Sequence, residues 1–260
     1  CNFSCPYCFQ KNSNDLKKID NYYPIINKII DKINNELNEL NSKRIEIAFM
    51  GGEPTLIDLY NIIQKIDPKN NFVSFKIFTN FSASLEKYQK IFSLENDNKR
   101  IGLSISIHDD IINFDNYIIK AFYLKKNIFN MTIVVLTEKN YINYLKYKNI
   151  FKDVKVISQL CKDFNSNHNT FLKILTPKEI IKKLPKYFKK EYILDDTIIT
   201  REEIFADKIL NNKRKICTPK TVIRLDGTIT DCSNTTRDKI FTNIICNKEI
   251  CSIDCTSVEV

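Results

Sequence analysis

The sequence is poor in glycine and histidine, with four of the first and two of the second in 260 residues. It has no run of about 18 apolar residues, which excludes a membrane-spanning helix. Its start lacks the basic-then-apolar pattern of a secretory signal. These absences lead us to expect a soluble, cytoplasmic protein. Hydrophobic residues make up 43% of the chain, enough for one substantial core or one large domain with a small appendage, and too many for a disordered chain.

Against two histidines stand nine cysteines. An odd number, spread over a long chain without a signal, argues against a disulfide framework and towards metal or redox chemistry in a reducing compartment. Cys1, Cys5 and Cys8 lie at one end, Cys217, Cys232, Cys246, Cys251 and Cys255 at the other, and Cys161 stands alone between them. Two ligand clusters are implied, with Cys161 read as a structural thiol.

The formal charge is +9, and residues 141–190 alone hold twelve lysines against Asp153, Asp163 and Glu179. Such a stretch suits an acidic peptide, an acidic redox partner or nucleic acid, or is simply a solvated face. Nucleic-acid modification rests on charge alone and is the least supported reading.

Apolar residues at Ile25, Ile26, Ile29, Ile30, Ile33, Leu37 and Leu40 predict a helix beginning after Asp20. Five β-rich runs follow: IEIAFM (45–50), VSFKIFT (73–79), IGLSISI (101–107), MTIVVLT (131–137) and VKVISQL (154–160). Their regular spacing is close to the roughly 30 residues of a strand, crossover helix and return. Nearly continuous apolar strands in repeated βα units predict a parallel sheet, open or curved into a barrel. Helix starts are expected at Thr176-Pro177-Glu179 and at the capping box Thr200–Glu203. VIRLDGTIT predicts a hairpin around its DG turn. The boundary is therefore set near residue 212, with a core over 1–211 and a small unit over 212–260. The chain begins at Cys1 rather than Met, and Cys1–Phe9 reads as a loop leaving a strand. A further strand is expected before it.

A cubane iron–sulfur cluster has four irons, each wanting a thiolate. Cys1, Cys5 and Cys8, in C-x3-C-x2-C spacing, supply three and leave one iron open to an outside ligand. The competing reading is zinc, with Cys5 and Cys8 as half of a four-thiolate site. A third cysteine at this spacing, and five more at the far end, make zinc awkward. The first strand closes on AFMGGEPTL, where two of the four glycines adjoin. Backbone at Gly51–Gly52 can approach a ligand closely, and Glu53 sets a carboxylate at the C-terminal edge of the sheet, where parallel α/β folds keep their sites.

CNFSCPYC, followed about forty residues later by a strand-closing GGEP, strongly resembles the radical S-adenosylmethionine (SAM) enzymes, over residues 1 to about 160. The resemblance implies an α/β fold, a partial (β/α)6 TIM-type barrel here lacking its first strand. It implies a 4Fe-4S cluster on Cys1, Cys5 and Cys8, whose open iron takes the amino and carboxylate groups of SAM. Glu53, with Gly51 and Gly52, would hold the methionine amino group, Tyr7 would lie near the adenine, and Asn80 and Ser106 near the ribose or methionine carboxylate. No glycine follows the fifth strand, a departure that leaves the adenine side after Leu136 open. His108 would face the same mouth, as a catalytic or a merely solvated residue.

At the far end, Cys217, nine residues, Gly227, four residues and Cys232 resemble the opening of the SPASM and twitch extensions, which carry auxiliary 4Fe-4S clusters. Cys251 and Cys255 look like the closing pair, and Cys246 fits imperfectly. A full SPASM domain would need more ligands than these, so one auxiliary cluster is expected, on Cys217, Cys232, Cys255 and either Cys251 or Cys246. The resemblance implies reductive SAM cleavage to a 5'-deoxyadenosyl radical and hydrogen abstraction from a peptide or protein substrate, with a flavodoxin- or ferredoxin-type electron donor. The alternatives are a twitch-type dehydrogenase of a small molecule and a non-catalytic zinc or iron–sulfur module.

Overall fold

The computed structural model describes residues 23–108, 114–135, 138–160, 221–223, 227–231, 236 and 238–241. All nine cysteines, Tyr7 and the helix starts at Thr176 and Thr200 lie outside the described residues. The described chain falls into two compact units, one of residues 37–160, the other of residues 23–36 with the residues from 221 onward.

The first unit is a parallel sheet of β1 (Arg44–Phe49), β2 (Phe72–Thr79), β3 (Lys99–Ile107), β4 (Ile128–Val135) and β5 (Lys155–Leu160), in sequential order. Helix α1 (Tyr23–Glu39) precedes it; α2 (Leu59–Lys65), α3 (Leu85–Phe92), α4 (Phe114–Leu124) and α5 (Glu138–Ile150) are its crossovers. The order β1-β2-β3-β4-β5 has no switch point. Right-handed crossovers in that order place every connecting helix on one face. This is barrel-type winding, compatible with a partial TIM-type fold and unlike a doubly wound sheet.

Parallel partners share a face, so the register sorts the side chains. Ile47, Phe75 and Ile101 lie level on one face, as do Phe49, Ile77 and Leu103, then Ile105, Met131 and Val156. This face is the core: Phe75, Ile77, Leu103, Ile105 and Met131 are fully buried. Lys99, on the same face, donates to the carbonyl of Ile63 in α2 at 3.2 Å, and Tyr88 of α3 meets Thr79, so the helices cover this side. The opposite face carries Glu46, Ser74 and Arg100 on one level, Ala48, Lys76 and Gly102 on the next, then Phe78, Ser104, Asn130 and Lys155, then Ser106, Thr132 and Ile157. A packed barrel interior is apolar; this face mixes charged and hydroxyl side chains with Ala48, Phe78 and Ile157.

The Phe129 ring lies across it. The register of β3 against β4 shifts at Leu103/Ser104, leaving Phe129 as the extra residue. Its ring lies over Gly102, where a Cβ would come within 2.7 Å of Phe129 Cδ2. Lys76 Nζ stands 6.0 Å, and Arg100 Cζ 5.5 Å, from the ring centroid.

In the second unit, β6 (Thr221–Ile223) and β7 (Ile229–Asp231) form an antiparallel hairpin with Thr221 opposite Asp231, as the DG turn predicts. Glu36 of α1, nearly buried, accepts from the backbone N–H groups of Ile240 at 2.8 Å and Phe241 at 2.8 Å. Lys32 donates to the Asp238 carbonyl, and Thr221 Oγ1 to that of Ile240 at 2.6 Å. One helical turn thus fastens residues 238–241. Among the described residues, no helix is long and apolar enough to cross a membrane.

Candidate functional site at the C-terminal edge of the sheet

The chain leaves β1 through Met50, Gly51 and Gly52. Gly51 has φ 119°, and a Cβ there would meet nothing within 4 Å. Glycine is needed for backbone freedom rather than for room. Glu53 follows in extended conformation (φ −144°, ψ 103°) and caps a 3-10 turn, Pro54–Leu56, whose first residue is proline. Its side chain turns back towards the end of β2.

Glu53 is 3% exposed. Its Oε1 accepts from Thr55 N at 3.0 Å, Thr55 Oγ1 at 2.6 Å and Thr79 Oγ1 at 2.8 Å. Its Oε2 accepts from Asn80 N at 2.7 Å. Every donor is neutral. A buried carboxylate is tolerable only when so solvated, because the charge would otherwise be left in a low dielectric. The bonds also join the exits of adjacent strands β1 and β2.

Thr79 is the hinge of this arrangement. Its one hydroxyl proton goes to Glu53, so its oxygen accepts from Phe81 N at 2.9 Å and from the Tyr88 hydroxyl at 2.9 Å. Burial pushes the Tyr88 hydroxyl above its ordinary pKa and the Glu53 charge adds to it, so Tyr88 remains a donor. The next turn is strained. Phe81 is fully buried at φ 61°, a left-handed conformation that costs an L-residue roughly 1–2 kcal/mol.

Helix α4 closes the turn from behind. Lys120 Nζ donates to Phe81 O at 2.6 Å and Ala83 O at 2.7 Å, and the Tyr117 hydroxyl donates to Asn80 O. The Lys120 ammonium also faces the rings of Phe81 at 4.6 Å, Tyr117 at 5.5 Å and Tyr88 at 5.9 Å. Burial lowers its pKa, and the Glu53 charge opposes that.

The structure therefore brings Gly51, Gly52, Glu53 and Asn80 together at one edge. Asn80 is 5% exposed; its Oδ1 accepts from Ser82 N at 3.0 Å and shapes the turn, while its backbone N–H reaches Glu53. Ser106 lies at the same end of β3 but on the mixed face, level with Thr132. His108 follows, half-buried. Thr79, Tyr88, Tyr117 and Lys120 are absent from the sequence reading; no local pattern marks them, since each meets the site through the fold. Among the described residues no group of three or more His, Cys, Asp or Glu side chains could hold a metal ion.

A SAM amino group needs an acceptor, and Glu53 fits one. Oε1 has three donors and is full, whereas Oε2 has one and keeps a lone pair. The donor set leaves room for a single N–H contact.

A family model described as a 4Fe-4S single cluster domain matches residues 1–96. The parallel sheet makes the described chain an α/β protein, and the match gives residues 1–96 a likeness to iron–sulfur domains. The chain is similar to the cysteine-type anaerobic sulfatase-maturating enzyme of Clostridium perfringens, 24% identical over 92% of this chain and 73% of that protein. It is also similar to the enzyme of the same name from Clostridium novyi, 27% identical over 74% of this chain and 46% of that protein. No solved structure matches. The opening cysteine motif, the family match and these relatives support a likeness to the radical SAM maturases.

Proposed function

We propose that this protein is a radical SAM enzyme, oxidoreductase in type, that modifies a side chain of a peptide or protein, as in sulfatase or ribosomal-peptide maturation. The observation that carries this is the Glu53 carboxylate. It is buried directly after Gly51–Gly52 and held by Thr79 and Asn80 at the sheet edge that family enzymes use, with one acceptor site left open. The 4Fe-4S domain matched over 1–96 and the maturating enzymes that the chain resembles support it.

In this reading Cys1, Cys5 and Cys8 hold a 4Fe-4S cluster, and Glu53 with the Gly51–Gly52 backbone takes the amino group of SAM. Asn80 keeps the carboxylate in place through its N–H, while Tyr7, Ser106 and the Asn80 turn border the rest of the cofactor, with His108 beside the substrate mouth. Held by these residues, cluster and SAM would supply one-electron reductive cleavage and hydrogen-atom abstraction from the substrate. The electron comes from a flavodoxin- or ferredoxin-type donor in the cytoplasm.

The sheet is read as part of a (β/α)6 barrel whose first strand precedes Cys1, and residues 212–260 as a SPASM/twitch-type unit. Cys217, Cys232 and Cys255, with Cys251 or Cys246, hold one auxiliary 4Fe-4S cluster there. Thr230, two residues before Cys232, has a buried hydroxyl without a hydrogen-bond partner among the described residues, an arrangement that is costly unless an acceptor such as a thiolate or sulfide takes it up. The mixed face supports an acidic substrate segment: Lys76, Arg100 and Lys155 share it with Glu46 alone among the carboxylates of the paired residues.

Anaerobic protein incubated with SAM, reductant and cysteine- or serine-containing peptides should form 5'-deoxyadenosine and a peptide of altered mass. Deoxyadenosine formed only with a small alcohol would overturn the peptide assignment. Zinc in place of iron, with no SAM cleavage, would overturn the enzyme.

A further inference from the structure

We infer that Tyr117 and Lys120 of α4 are positioning residues for the Glu53 carboxylate, clamping the 80–83 turn so that the open lone pair of Oε2 stays aimed at the SAM amino group. The inference rests on the reading that Glu53 receives that group. Tyr117 and Lys120 are three residues apart and so share a helix face. Between them they bind three carbonyls of one short turn: Asn80 O by the tyrosine, Phe81 O and Ala83 O by the lysine.

The peptide joining Asn80 to Phe81 is pinned on both sides. Its carbonyl is held by Tyr117, and its N–H by Thr79 Oγ1, whose own proton goes to Glu53 Oε1. The preceding N–H, that of Asn80, is the single donor on Oε2. If the peptide rotates, Thr79 Oγ1 loses the N–H that orients it towards Oε1 and the residue carrying the Oε2 donor loses its anchor on the far side, so the aim of the carboxylate loosens.

The turn has a reason to rotate. Phe81 sits in a left-handed conformation that a side-chain-bearing residue leaves when nothing prevents it. What prevents it is the α4 pair, aided by the Phe81 ring packed 5.2 Å from both Tyr88 and Tyr117. A half-buried ammonium against two carbonyls and three rings is a costly filler where an apolar side chain would pack as well. Charge and strain at one sheet-edge turn are explained together if that turn fixes the direction of a functional carboxylate.

The test uses full-length, cluster-reconstituted protein with Tyr117→Phe, Lys120→Met and Lys120→Arg. Two quantities are read: hydrogen exchange at the Asn80 and Phe81 amides without SAM, and the SAM dissociation constant by equilibrium dialysis. Tyr117→Phe and Lys120→Met should each speed exchange and weaken SAM binding by about tenfold, the effect of losing one buried hydrogen bond, at wild-type iron content. Lys120→Arg, which keeps donor and charge, should recover part of both. Faster exchange with unchanged SAM affinity would make the pair merely structural and overturn the inference; so would unchanged exchange. Should Lys120→Met fail to fold, the milder Tyr117→Phe decides by the same two readings. Failure of the wild-type protein to bind SAM would instead overturn the proposed function.

Discussion

Replacing Glu53 by Gln tests whether the site is built as described. The substitution keeps the shape and one carbonyl oxygen. If that oxygen stays towards Thr55 and Thr79, the new amide N–H2 faces the Asn80 N–H, donor against donor, where Oε2 had accepted at 2.7 Å. The opposite rotamer is worse, because it sets the amide against three donors. A charge-assisted hydrogen bond contributes roughly 1.5–3 kcal/mol, and an unpaired buried N–H costs about 1–3 kcal/mol. We expect a loss of about 3 kcal/mol. For a chain of this size each kcal/mol moves the midpoint by about 2–4 °C, giving a fall of roughly 6–12 °C. Thermal unfolding of anaerobic protein, followed by circular dichroism, measures it. A fall below about 2 °C would refute the claim that four neutral donors solvate this carboxylate.

Gly102→Ala places a methyl group against the Phe129 ring and should destabilise by about 1–3 kcal/mol in urea unfolding, with Phe129→Leu in the same chain recovering most of it. Loss in the single variant without recovery in the double would show that the ring is not the obstacle. Glu36→Gln removes one of the two acceptors that hold residues 240 and 241, so exchange at the Ile240 and Phe241 amides should quicken about tenfold while amides in β2 keep their wild-type rates. Equal quickening in both places would mean that the contact is not local.

The strands were legible in the sequence because they are buried on one face by β-branched and aromatic residues at alternate positions. VSFKIFT and IGLSISI fall within β2 and β3. The fourth strand begins at Ile128 rather than at 131, because Phe129 and Asn130 break the alternation at the register shift. The helix expected after Asp20 is described from Tyr23. Gly51, Gly52, Glu53 and Asn80 could be named in advance, since the GGEP motif and the strand ends are local signals. What holds them could not. Thr79, Tyr88, Tyr117 and Lys120 come to Glu53 or to its turn from three separate elements, and such a contact follows from the winding of the sheet, not from spacing along the chain.

The central claim is a pair of clusters, one of them on an incomplete set of thiolates at Cys1, Cys5 and Cys8. Iron and sulfide content with electron paramagnetic resonance, on anaerobic wild-type protein and on a Cys1/Cys5/Cys8→Ala variant, tests it most directly. Two cubane clusters require about eight irons, falling to about four in the variant, with loss of the signal that SAM perturbs. About four irons in both proteins, or bound zinc in either, would contradict the account.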